Sequence, residues 1–129
     1  MDKKTQISEL YKQLHKKIPV FQALADEERL KILAHLLEAG SNGMNVTEIA
    51  AKSHLSRPAV SHHLKTLKDS GIIIPHKVAT QIYYVLDAEK SFTELKQTID
   101  AMEGAISDLD LAKVKENAPW LVKLVDENS

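Results

Sequence analysis

Residues 55–71, LSRPAVSHHLKTLKDSG, constrain the fold more than any other stretch of the chain. Ser56 can close a helix start with its side-chain oxygen, and Pro58 falls in the first turn, where a missing N–H leaves no bond unmade. Val60, Leu64 and Leu67 then recur on one stripe, and Gly71 supplies a residue suited to a left-handed helix end. At about 100° per residue the stripe centres close to Leu64 and Leu67, with His62 and Lys65 on the far side, Ser61 on its shoulder and His63 beside it. A helix packed on one face and carrying donors on the other is what reading a DNA major groove requires. Ser56, Arg57, Ser61, His62 and Lys65 are therefore the expected contacts to base edges and phosphates. Lys68 is placed to meet phosphate or to solvate the helix C-terminus, where its charge suits the dipole.

The flanking residues give this helix a context. Asn45-Val46-Thr47-Glu48 has the form of a capping box that opens a short helix through Ile49 and Ala50. A turn around Ser53-His54-Leu55 separates the two, so residues 45–70 are expected to form a helix-turn-helix. After Gly71, two β-runs at about 72–77 and 81–86 predict a hairpin over 72–86, a wing whose Lys77 can reach phosphate. The turn between the two runs has no glycine.

Both ends of the chain carry apolar helical stripes. Ile7, Leu10, Leu14 and Ile18 recur at helical spacing up to a break at Pro19. A second helical region follows, with Asp26 as its cap and Leu30, Leu33, Leu36 and Leu37 expected to face inward. Phe92, Leu95, Ile99, Met102, Ile106 and Leu109 alternate spacings of three and four, an a/d seam. Leu111, Val114, Trp120, Leu121, Leu124 and Val125 add a further apolar set around Pro119, read as one or two closing helices. Residues 1–19 and 88–110 are thus expected to be dimerisation helices, with Ile7, Leu10, Leu14, Phe92, Leu95, Ile99, Met102 and Ile106 at the interface and 111–129 a C-terminal extension.

Charge distribution agrees with a DNA-facing segment although the net charge is only −1. Residues 52–86 hold five Lys or Arg against one acid, Asp69, whereas residues 87–129 hold five against ten. The basic charge is gathered where the reading helix lies, and the acidic remainder limits non-specific binding.

Other classes are excluded or disfavoured by what the chain lacks. At 129 residues it suits one domain with a real core. It has no cysteine, which removes disulfides, zinc fingers and thiol chemistry. No apolar run approaches the ~20 residues of a membrane span. The first residues, MDKKTQISELYKQ, have no apolar region of a secretory signal, so a cytoplasmic location is expected. No Ser, His and Asp arrangement and no carboxylate pair calls for catalysis. Neighbours on a helix point about 100° apart, so His62 and His63 cannot chelate one ion well. No cofactor and no metal are expected.

Three stretches, FQALADEERLKILAHLLEAG, VTEIAAKSHLSRPAVSHHLKTLKDSGI and the second strand QIYYVL, together resemble the ArsR/SmtB family of winged-helix repressors over roughly residues 20–87. The resemblance implies a mainly α fold with a two-stranded β wing, a winged helix-turn-helix dimerising through its N- and C-terminal helices. It implies a homodimer that occupies double-stranded operator DNA and leaves it when an inducer, here unknown, binds. The chain departs from the family at its metal sites. Family members that sense soft metals carry a cysteine pair where this chain reads Met44-Asn45-Val46-Thr47. At the last-helix metal site Asp87 and Glu89 remain, but no histidine follows His76, leaving a poor transition-metal ligand set. Two alternatives stay open at this level: a winged-helix module that binds a protein through its acidic last third, and a metal-sensing repressor with a non-standard site.

Overall fold

Helix starts are chemically marked, and among the described residues four are closed by the side chain of the cap residue. Asp2 accepts from the Thr5 N–H at 2.7 Å, Asp26 from Arg29 at 3.0 Å, Asn45 from Glu48 at 2.9 Å and Ser56 from Ala59 at 3.3 Å. Each acceptor satisfies an N–H that has no partner inside its own helix. In the computed structural model, which describes residues 2–109 and 111–120, the elements run α1 (Lys3–Lys16), α2 (Ile18–Leu24), α3 (Glu27–Ala39), a 3-10 turn (Gly40–Asn42), α4 (Val46–Lys52), α5 (Arg57–Asp69), β1 (Ile73–Val78), β2 (Gln81–Leu86), α6 (Ser91–Ser107) and α7 (Leu111–Asn117). The architecture is the expected one, mainly α with a two-stranded wing. Leu121, Leu124 and Val125, expected in closing helices, lie outside the described residues.

Two local expectations need correction. Pro19 does not break helical structure but opens α2 from its first turn, where proline is tolerated; the chain breaks instead at Lys17, the end of α1. On α3 the buried stripe is Ile32, Leu33 and Leu36, while Leu30 and Leu37 are 51% and 70% exposed. The helix carries apolar residues around more than half its circumference, and packing against α5 and the wing, not leucine count, chose the face.

The core lies where α2, α3, α4 and α5 meet. Ala23, Ile49, Val60, Leu64 and Leu67 are fully buried there, and Ala50 and Leu55 of the helix-turn-helix pack against them. The end of α5 is closed by both bonds of a Schellman motif. Gly71, at φ +86°, donates to the Lys68 carbonyl at 3.0 Å and Ile72 to the Leu67 carbonyl at 3.2 Å. That turn buries Ile72 and Ile73 and launches the hairpin. β1 and β2 pair antiparallel from Ile73 opposite Leu86 to Val78 opposite Gln81. Ala79 takes a left-handed φ of +55° at the turn, the conformation a glycine adopts without strain. Met44 and Tyr84 exchange backbone bonds of 3.1 and 2.8 Å, which pin the base of the wing to the entrance of α4.

The two flanking helices lie against each other and are tied back to the reading unit. Lys17 at the end of α1 meets Glu94 of α6 at 2.6 Å. Ser91 donates to the Gly71 carbonyl at 2.6 Å, and the Asp87 N–H to the Ile72 carbonyl at 2.9 Å. The start of α6 is thereby bonded to the end of α5.

Candidate nucleic-acid interface

The inner face of α5 is sealed, with Val60, Leu64 and Leu67 all at 0% exposure. Its outer residues Arg57, Ser61, His62, Lys65 and Lys68 are exposed, as is Ser56 at the cap. Arg57 opens the helix, so its cation lies at the same end as the positive pole of the helix dipole. The Ser56 oxygen accepts from the Ala59 N–H, which leaves its hydroxyl hydrogen to donate outward. Lys65 is held by Asp69 one turn on, 2.7 Å away, and the same bond keeps the Asp69 carboxyl below the usual range. This exposed pair is easily exchanged for a phosphate, because solvent screens surface ion pairs and leaves them weak. Lys77 stands exposed on β1 opposite Ile82 of β2. Asn45, the cap of α4, lies 3.5 Å from Gln81 at the start of β2, so the helix-turn-helix and the wing share one border.

The expected interface residues fall into two groups. Ile7, Phe92, Ile99 and Ile106 are 54%, 37%, 43% and 59% exposed, and Leu10, Leu14 and Met102 are half-buried. Leu95 packs against the chain's own core. Between α1 and α6 a groove of about 900 Å³ is lined by Ile7, Leu10, Met102 and Ile106 among others.

One residue near the reading helix was not singled out from sequence. Arg29 of α3 bonds the carbonyls at the end of α2 and reaches His63 of α5. The Asp-x-x-Arg spacing marks a cap and its helix, but nothing local tells that the side chain turns back to a helix thirty-four residues away.

With this geometry, the comparisons with known proteins are decisive. A family model described as "Bacterial regulatory protein, arsR family" matches residues 26–74, from the Asp26 cap to the first residues of the wing. The Vibrio cholerae transcriptional activator HlyU is 33% identical over 74% of this chain and 82% of its own length. The chain belongs to the ArsR family. The Bacillus subtilis transcriptional repressor SdpR is 37% identical over 70% of this chain and 93% of its own. An ArsR-like transcriptional regulator from Rhodococcus sp. RHA1 superposes with a TM-score of 0.61 at 32% identity, covering 81% of this chain and 94% of that one. This ArsR protein is accordingly a winged helix-turn-helix, DNA-binding transcriptional regulator and not an enzyme. Among the described residues no helix is long and apolar enough to cross a membrane.

The chain has no cysteine to serve as a soft-metal ligand at Met44-Asn45-Val46-Thr47. Among the described residues no three His, Asp or Glu side chains converge to hold an ion. Asp87, the remnant of the last-helix site, is spent on the start of α6. Its two oxygens accept from the backbone N–H groups of Glu89, Lys90 and Ser91 at 3.3, 3.1 and 3.2 Å. Those bonds, Lys90's first, hold its carboxyl below the usual carboxylate range. A metal at Asp87 would compete with these three backbone bonds.

Proposed function

We propose that this protein is a cytoplasmic homodimeric repressor that reads a two-fold operator with α5 and leaves it when an inducer binds. The observation that carries the reading is the division of α5 into a fully buried face and an outer face bearing Arg57, Ser61, His62 and Lys65. Ser56 and Lys68 extend that surface at its two ends, and Lys77 adds a phosphate contact from the wing. Exposed apolar residues on α1 and α6, of which Ile7 and Ile106 line one groove, support pairing of two copies through these helices. Pairing there would set two copies of α5 about 34 Å apart, one turn of B-DNA.

Fluorescence anisotropy over a salt series, with the protein's own upstream DNA against a scrambled duplex, tests the reading. The expected result is preferential binding that weakens linearly in log salt. Sedimentation equilibrium of the free protein should give twice the chain mass. Arg57→Ala and Lys65→Ala should each weaken operator binding by about 1–3 kcal/mol without changing the sedimenting mass. Unchanged affinity in both variants would remove α5 from the groove. Binding to neither duplex at low salt would favour a protein partner for the acidic last third.

His62 adds a pH dependence. Exposed on the outer face of α5, it gains a phosphate-attracting charge on protonation. His62→Gln should flatten the tightening of operator binding between pH 7.5 and 6. An unaltered slope would rule out a DNA contact for this residue.

A further inference from the structure

A single guanidinium joins three helices at the back of the reading unit. The Arg29 side chain is only 14% exposed. Its Nε donates to the Ala23 carbonyl at 2.7 Å and its Nη2 to the Gln22 carbonyl at 3.1 Å, both at the end of α2. Its Nη1 lies 3.2 Å from Nδ1 of His63 and 3.8 Å from Asp26. A guanidinium donates and never accepts, so His63 Nδ1 must be the acceptor in this bond. The ring is then neutral, with its hydrogen on Nε2. His63 sits mid-way along α5, beside the buried stripe and next to His62.

We propose that Arg29 is a positioning residue for DNA reading, holding α5 through His63 Nδ1, and that a proton on His63 releases this hold. The inference rests on the DNA-reading role of α5. A proton on Nδ1 removes the lone pair that Arg29 uses and sets an imidazolium against a guanidinium. The charged and titratable groups around the ring are Arg29 and Asp26 from α3 and His62, whose ring centroid is 5.8 Å away. The α2 sequence, IPVFQAL, contains no titratable side chain. On α4 and β1, which also pack on α5, these groups are Glu48, Lys52, His76 and Lys77, and Glu48 is committed to the capping box. Asp26 is held below the usual carboxylate range, chiefly by the Arg29 backbone N–H, and is therefore an anion throughout the neutral range. It offers the protonated ring a new acceptor on the α3 cap, so the proton exchanges one partner for another and shifts α5 against α3. His62 and His63, adjacent in sequence, thus act in opposite senses as pH falls: the outer ring strengthens phosphate contact and the inner one loosens the helix.

The test compares operator affinity from pH 8 to 5.5 for the wild type, His63→Asn and His63→Ala, with His62 present in all three. The asparagine carbonyl replaces Nδ1 as acceptor and does not titrate; alanine offers no acceptor. His63→Asn should match the wild type within about twofold at pH 8 and bind about three- to tenfold more tightly at pH 5.5. His63→Ala should be the weakest of the three at pH 8. Identical pH profiles for wild type and His63→Asn, with both binding operator, would overturn the hold alone. A wild type that binds no duplex at any pH would overturn the DNA reading and this inference together. Long-range 1H–15N spectra of the wild-type imidazoles at pH 8 give a check free of variants and DNA. They should show the His63 hydrogen on Nε2, and a hydrogen on Nδ1 would overturn the proposal.

Discussion

Leu64→Ala is expected to lower the free energy of unfolding by about 2–5 kcal/mol, the range for emptying a leucine site in a packed core. Leu64 is fully buried at the centre of α5, between Val60 and Leu67, which are equally inaccessible. The cavity would open where α5 meets α2, α3 and α4, four short elements that cannot collapse inward without moving the turn at Ser53-His54-Leu55. For a domain whose whole stability is about 5–15 kcal/mol, such a loss is a large fraction. It would also free the outer residues of α5 from a fixed orientation, so operator affinity should fall even where the variant remains folded. Urea denaturation followed by circular dichroism measures the first effect. A loss under about 1 kcal/mol would mean that α5 is not seated in the core as described.

What was legible in the sequence was local. The Ser56 cap, the apolar stripe of α5 and Gly71 at its end depend on residues within one or two turns, and all three appear in the structure. The same holds for the capping box at Asn45 and Glu48. The exposure of Arg57, Ser61, His62 and Lys65 followed from the same stripe, because a helix with one sealed face leaves the opposite one to solvent. What was not legible depends on distant partners. Leu30 and Ile32 are both apolar members of α3, and the positions of α5 and the wing decide that Ile32 goes in. Nothing local singles out Arg29, whose hydrogen-bond partners lie on α2 and α5. Asp87 and Glu89 read as a remnant metal pair, whereas the backbone of the α6 start claims the Asp87 carboxylate. Spacing alone cannot tell a ligand from a cap, since both need an oxygen near a helix end.

Gly43→Ala is expected to be more damaging than its size suggests, with a cost of about 2–6 kcal/mol. Gly43 has φ +66° and ψ −171°, a region that essentially only glycine occupies, at about 1–3 kcal/mol for another residue. A Cβ there would lie 2.6 Å from the Tyr84 carbonyl oxygen and 2.8 Å from Cγ1 of Val85, contacts that add about 1–3 kcal/mol of overpacking. The next residue, Met44, exchanges two backbone bonds with the same Tyr84, so the strand cannot retreat without breaking the join between wing and helix-turn-helix. Gly40 provides the control. Its φ is also positive, at +61°, but a Cβ there meets nothing within 4 Å. Gly40→Ala should therefore show the backbone strain alone, and the difference between the two variants isolates the clash with β2. Denaturant midpoints for both decide the matter. Equal losses would show that the wing yields freely at Tyr84, and that its base does not hold the entrance of α4 in place.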